Sequence, residues 1–148
     1  MQQFNVTFDE ALEILSSRQS NKFVSNSEKE FVDELEKNLG FEFKYSYKTR
    51  QFCKWSEEYH QPFFYDVADT DLKIVIEFFG DYWHCRPKTH SSTFIHPHAK
   101  IEARKIWKYD ISKRKLIKSF GFTHMIVWES DWKNNRQDVI ERIQGVLK

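Results

Sequence analysis

Three acidic residues stand where an acid is costly. Asp66 lies in FFYDVAD with apolar residues on both sides, and Asp is depleted in strands. Glu77 has the same character inside IVIEFF. Asp110 falls on a helical wheel between Ile106 and Ile111, in line with Ala103, Trp107 and Ile117, which is the apolar face. An ionised carboxylate in such a place must be paired, hydrogen-bonded or bound to a metal. A structural Asp satisfied by a backbone donor or a basic side chain explains Asp110 equally well. If Asp66 and Glu77 converge, they make a hard-oxygen site suited to Mg²⁺. Whether they share a face depends on strand register, and a slip of one residue reverses the answer.

His84 follows Tyr82-Trp83, just past a strand that ends at Gly80. A histidine at a strand end can act as general base, general acid or charge stabiliser, although a lone histidine is more often structural. Glu28 precedes Phe31, Val32 and Leu35 by three, four and seven residues, so it shares their inward face. Ser25 to Glu28 fits a capping box, and so does Ser27 to Glu30. Only the second leaves Glu28 for other work.

Charge is unevenly spread along a chain whose net charge is only +1. Residues 1–43 carry nine acids against four bases, whereas residues 100–118 carry eight Lys or Arg against Glu102 and Asp110. A basic stripe on a near-neutral chain suits a face that meets phosphate; a solvated helix face explains it as well.

These residues must be positioned by elements. Phe8, Ala11, Leu12 and Leu15 predict a short amphipathic helix over Thr7 to Ser16, followed by a polar linker to Ser27. A second helix is expected over Ser27 to Leu39, ended by Gly40. FEFKYSY alternates as a strand does, and residues 48–61 read as a loop or insertion. FFYDVAD and LKIVIEFF read as a β-hairpin turning at Asp69-Thr70-Asp71. Pro87, Pro97, His90, His96 and His98 mark an irregular loop over residues 85–99. A long helix over Lys100 to Ser119 is capped by Gly121. THMIVW is a buried strand, ESDWKNN a loop, and Arg136 to Leu147 a last helix. That order gives an α/β fold: one domain with a central mixed sheet flanked by helices.

Bulk properties agree with a folded domain. The chain has 148 residues, of which 17% are aromatic, more than a disordered segment carries. Cys53 and Cys85 make no disulfide framework, no stretch is apolar enough to span a membrane, and the acidic N-terminus lacks a signal-peptide pattern. The chain reads as cytoplasmic, with no membrane partner.

The segments FYDVADTDLKIVIEFFGDYWH and YDISKRKLIKSFGFTHMIVWESDW resemble the very-short-patch-repair endonuclease fold, and within it the phage and intron homing endonucleases called EDxHD. That group is a divergent relative of the PD-(D/E)xK nucleases. The resemblance covers roughly Ser25 to Lys133. It implies a restriction-endonuclease-like core over residues 25–148, with residues 1–24 unassigned, acting in a bacterial or phage-infected cell. It also implies Mg²⁺-dependent hydrolysis of double-stranded DNA, with Mn²⁺ as a substitute metal.

Carried over by position, Asp66 matches the central metal-binding aspartate and His84 the histidine that assists proton transfer at the scissile phosphate. Asp110 matches the helix aspartate and Glu28 the N-terminal glutamate. Glu77 would assist Asp66 at the metal. Lys100, Arg104, Lys105, Lys108, Lys113, Arg114 and Lys115 would grip the DNA backbone, and Trp55, Tyr59 and Tyr82 are wedge candidates, each better explained by packing.

Two features depart from the pattern. Glu77-Phe78-Phe79 stands where an ExK motif would have its lysine. The several cysteines of the mismatch-repair members' structural zinc site are missing, leaving Cys85 and His90 as a weak zinc pair. Rival readings are a mismatch-directed nicking enzyme, a nucleic-acid-binding module that does not cut, and a zinc-stabilised structural protein. Monomer and homodimer stay open.

Overall fold

The computed structural model describes residues 24–148, so the helix expected over Thr7 to Ser16 lies outside the described residues. The chain divides into two compact units, one ending at Val75 and the other beginning at Ile76. Both mix helix and strand.

In the first unit, helix α1 spans Asn26–Leu39. The Ser25 side chain caps it by accepting from the Glu28 backbone N–H at 3.1 Å. Of the two N-caps the sequence offers, Ser25 is the one used, and Glu28 occupies the first turn. Gly40 ends the helix in the left-handed conformation at φ 80°. Phe31, Val32 and Leu35 face the core, as their spacing predicts, and Glu36 is buried beside them.

The strand expected over FEFKYSY does not form. Phe43 and Tyr45 are buried as the alternation requires, but Phe41 is exposed, Ser46 is buried in the opposite phase, and the only strand-type pairing at Tyr45 among the described residues is an isolated bridge to Ala68. A carboxylate takes the place of a strand partner: Glu36 Oε2 accepts from the Phe43 N–H at 2.7 Å, while Glu36 Oε1 holds Lys48 Nζ at 2.7 Å.

Residues 48–61 contain more order than a loop. Strands β1 (Phe52–Ser56) and β2 (Gln61–Tyr65) form an antiparallel hairpin with Phe52 opposite Tyr65 and Ser56 opposite Gln61. FFYDVAD is therefore two segments and not one strand. Its first half belongs to β2 and its second half is β3, Val67–Asp69, with a bend at Asp66 between them. Strand β4, Ile74–Phe79, follows a turn in which Asp69 Oδ1 accepts from the Asp71 and Leu72 N–H groups at 3.0 and 3.1 Å. The turn falls where it was expected; the hairpin it closes is β3–β4, shorter than predicted.

β4 enters the second unit, where β5 (Thr123–Trp128) is its neighbour. All six β4 residues are buried, which accounts for their unbroken apolar run apart from Glu77. Helix α2 spans Ala103–Ser119 and ends at Phe120 before Gly121, whose φ is 86°. ESDWKNN is a short helix, α3 (Glu129–Asn134), and not a loop; α4 spans Arg136–Val146. From α4, Arg142 Nη2 donates to the Ile126 carbonyl of β5 at 3.0 Å. No helix of the described residues is long and apolar enough to cross a membrane.

Candidate active site

His84 lies in a set of tight turns just after β4. Its N–H donates to the Gly80 carbonyl at 3.1 Å, and the Arg86 N–H closes back on the Asp81 carbonyl at 3.0 Å. Between them Cys85 holds a left-handed φ of 47°, a conformation that costs a residue with a Cβ about 1 kcal/mol. Helix α2 secures the turn, because Trp107 Nε1 donates to the Cys85 carbonyl at 2.6 Å.

The same helix supplies Asp110. Its Oδ2 lies 2.9 Å from His84 Nδ1, and it is mostly buried while the imidazole is partly exposed. The His84 ring stacks on Phe79 at 3.7 Å between centroids, with the planes 4° apart. With the Asp110 carboxylate as acceptor, Nδ1 is the donor, and a neutral ring then carries its one proton there. Two of the residues singled out in the sequence thus meet, and Asp110 sits on the apolar face because its partner comes from another element.

Glu77 does something else. It is 1% exposed and takes Lys113 Nζ at 2.5 Å on Oε1 and His124 Nε2 at 2.9 Å on Oε2. Burial pushes its carboxyl up, but the Lys113 ammonium and the His124 imidazole together hold it below the usual carboxylate range. Both oxygens are engaged, so Glu77 does not fit the metal-ligand role expected of it. Lys113 is equally displaced from its expected role: it is buried on the inner side of α2 and serves the interior. Lys100, Arg104, Lys105, Lys108, Arg114 and Lys115 are all exposed, so the basic stripe persists without Lys113.

Asp66 and Glu28 belong to the first unit; each is half-buried and hydrogen-bonded or paired in its own surroundings. Within either unit, no group of three or more His, Cys, Asp or Glu among the described residues is arranged to hold a metal ion. For the zinc pair, the Cys85 thiol faces the Tyr82 carbonyl at 3.8 Å, while His90 meets the Thr89 hydroxyl at 3.0 Å. Burial, with the Asp110 charge beside it, pushes the Cys85 thiol up, away from the thiolate a metal needs. Among the wedge candidates Tyr82 is exposed, whereas Trp55 and Tyr59 are half-buried.

Sequence reasoning missed a second cluster behind His84. Asp81 accepts from the Ser130 N–H at 3.0 Å and from its hydroxyl at 2.6 Å. Arg86 forks onto Asp131, with Nη1 to Oδ1 at 3.2 Å and Nη2 to Oδ2 at 3.0 Å, and Nη1 also reaches Ser130 Oγ at 2.8 Å. Burial pushes the Asp81 carboxyl up, but the two Ser130 donors and Arg86 bring it below its ordinary value. No spacing rule in the sequence joins residues 81 and 86 to residues 130 and 131.

No protein-family model, no curated protein and no solved structure matches the chain.

Proposed function

We propose that this chain is a Mg²⁺-dependent endonuclease that hydrolyses phosphodiester bonds in double-stranded DNA, of the phage or mobile-element homing type. The observation that supports it best is the His84–Asp110 pair at 2.9 Å, whose Asp110 stands on α2, the helix that also carries exposed cations. Asp110 orients the ring and stabilises the imidazolium that forms; His84 Nε2 takes the proton of the attacking water. Arg104, Lys105, Lys108, Arg114 and Lys115 neutralise phosphates without reading sequence. The resemblance assigns the metal to Asp66, whereas Glu77 is committed to Lys113 and His124. Asp66 by itself does not complete a metal site, so no step is assigned to the ion, and the metal requirement is part of the proposal.

The commitment of Glu77 also favours a second reading, a nucleic-acid-binding module that does not cut. Supercoiled-plasmid nicking separates the two. The first reading expects Mg²⁺- or Mn²⁺-dependent relaxation abolished by EDTA, with His84→Ala and Asp66→Ala slower by about 10²–10⁴-fold. Shifted DNA with no cleavage in either metal supports the second. Nicking that both variants perform at the wild-type rate refutes the assigned site.

A further inference from the structure

The ring under His84 has a support of its own. Phe79, on which His84 stacks, meets Trp128 edge-on at 5.4 Å and 74°. Over the Trp128 ring lies the Arg86 guanidinium, its Cζ 5.1 Å from the centroid. The chain of contact is therefore Arg86, Trp128, Phe79, His84, all in the second unit. Arg86 also closes the turn that carries His84, through its own N–H to Asp81. Its fork onto Asp131 and Ser130 fixes the guanidinium plane, and Asp81 in turn holds the backbone of Ser130. A planar fork can satisfy a carboxylate at two points while lying on a ring; an ammonium cannot do both.

From this geometry we propose that Arg86 is a positioning residue for His84, holding its ring in register with Asp110 through Trp128 and Phe79. The proposal rests on the reading of His84 as the proton acceptor. It assigns Arg86 no contact with DNA or with the reacting atoms. Its effect is on where the imidazole sits, so it acts on turnover and not on affinity.

The test compares Arg86→Lys and Asp131→Asn with wild type in full-length protein, using Gly121→Ala as a control for lost stability alone. Three readouts are taken: kcat and KM for plasmid nicking, the NMR signal and exchange rate of the His84 ring Nδ1–H, and the melting temperature. Arg86→Lys should lower kcat by about 10- to 100-fold, as misplacing a reacting group by around an ångström does. KM should stay within about twofold, as expected when ground-state binding is unaffected. The Nδ1–H signal should broaden and exchange faster, while Gly121→Ala leaves both kcat and that signal unchanged.

Wild-type kcat and an unmoved Nδ1–H in Arg86→Lys would overturn the proposal. So would a fall in kcat with the signal unmoved, or the same changes in Gly121→Ala. If Arg86→Lys does not fold, Asp131→Asn is read by the same criteria. Should the wild-type protein cut no DNA, the nuclease reading falls by itself and the Nδ1–H comparison still decides whether Arg86 positions His84.

Discussion

Replacing Lys113 by Met removes one of the two side chains that hold Glu77 in the interior. Glu77 is 1% exposed and Lys113 9% exposed, so water does not substitute for the missing ammonium. Removing one partner from a buried pair costs about 3–5 kcal/mol, chiefly the penalty of an uncompensated charge. His124 Nε2 still reaches Oε2 at 2.9 Å, which places this case near the lower end. At about 2–4 °C per kcal/mol for a chain of this length, the melting temperature should fall by about 6–12 °C. The assay is thermal unfolding followed by circular dichroism, run beside DNA binding at several salt concentrations. A lysine on the DNA gives the opposite result: unchanged melting, and a slope of log K against log salt reduced by about 0.9. That outcome would refute the interior assignment of Lys113 and, with it, the explanation of Glu77.

The Glu77 carboxyl is held below its ordinary value in the fold, so its contribution is complete above the unfolded value of about 4.3 and is lost as pH falls through the lower folded value. Glu77→Gln should therefore be less stable than wild type at pH 7 and lose less on acidification below pH 4, measured by urea unfolding at each pH. Asp110→Asn should leave plasmid binding intact and lower the nicking rate by about 10²-fold or more, since the imidazolium loses its counter-charge. Arg114→Ala with Lys115→Ala should weaken binding to all sequences alike and reduce the salt slope by up to about 2, as titration by fluorescence anisotropy would show. Gly121→Ala meets no atom within 4 Å but forces a side chain onto φ +86°, so denaturant unfolding should show a loss of about 1–2 kcal/mol.

The α2 and β5 elements were legible because their signals are local. Asp110 on an apolar helical face and Glu77 within an apolar strand both announced that a partner must exist. They did not say which partner. The clue lay in Lys113, three residues beyond Asp110 and four before the buried Ile117, and so on the inner face of the same helix. His124, inside an apolar strand, carried the same message. The β1–β2 hairpin escaped because its turn has no glycine: His60 adopts the left-handed φ of 51° and Ser56 Oγ accepts from the Tyr59 N–H at 3.1 Å. FEFKYSY misled for the converse reason. Its alternation survives only at Phe43 and Tyr45, the Phe43 N–H is satisfied by the buried Glu36 carboxylate, and a strand's hydrogen bonds cannot be inferred from the apolar spacing alone.

The guanidinium that reaches the Ile126 carbonyl bears on assembly. Among the described strands β5 stands last in its sheet, and such a margin invites another chain to add a strand. A newcomer would have to dislodge a cation anchored from α4 before pairing there. Substituting Arg142 with a short neutral side chain should leave this margin more open to strand addition by a second copy.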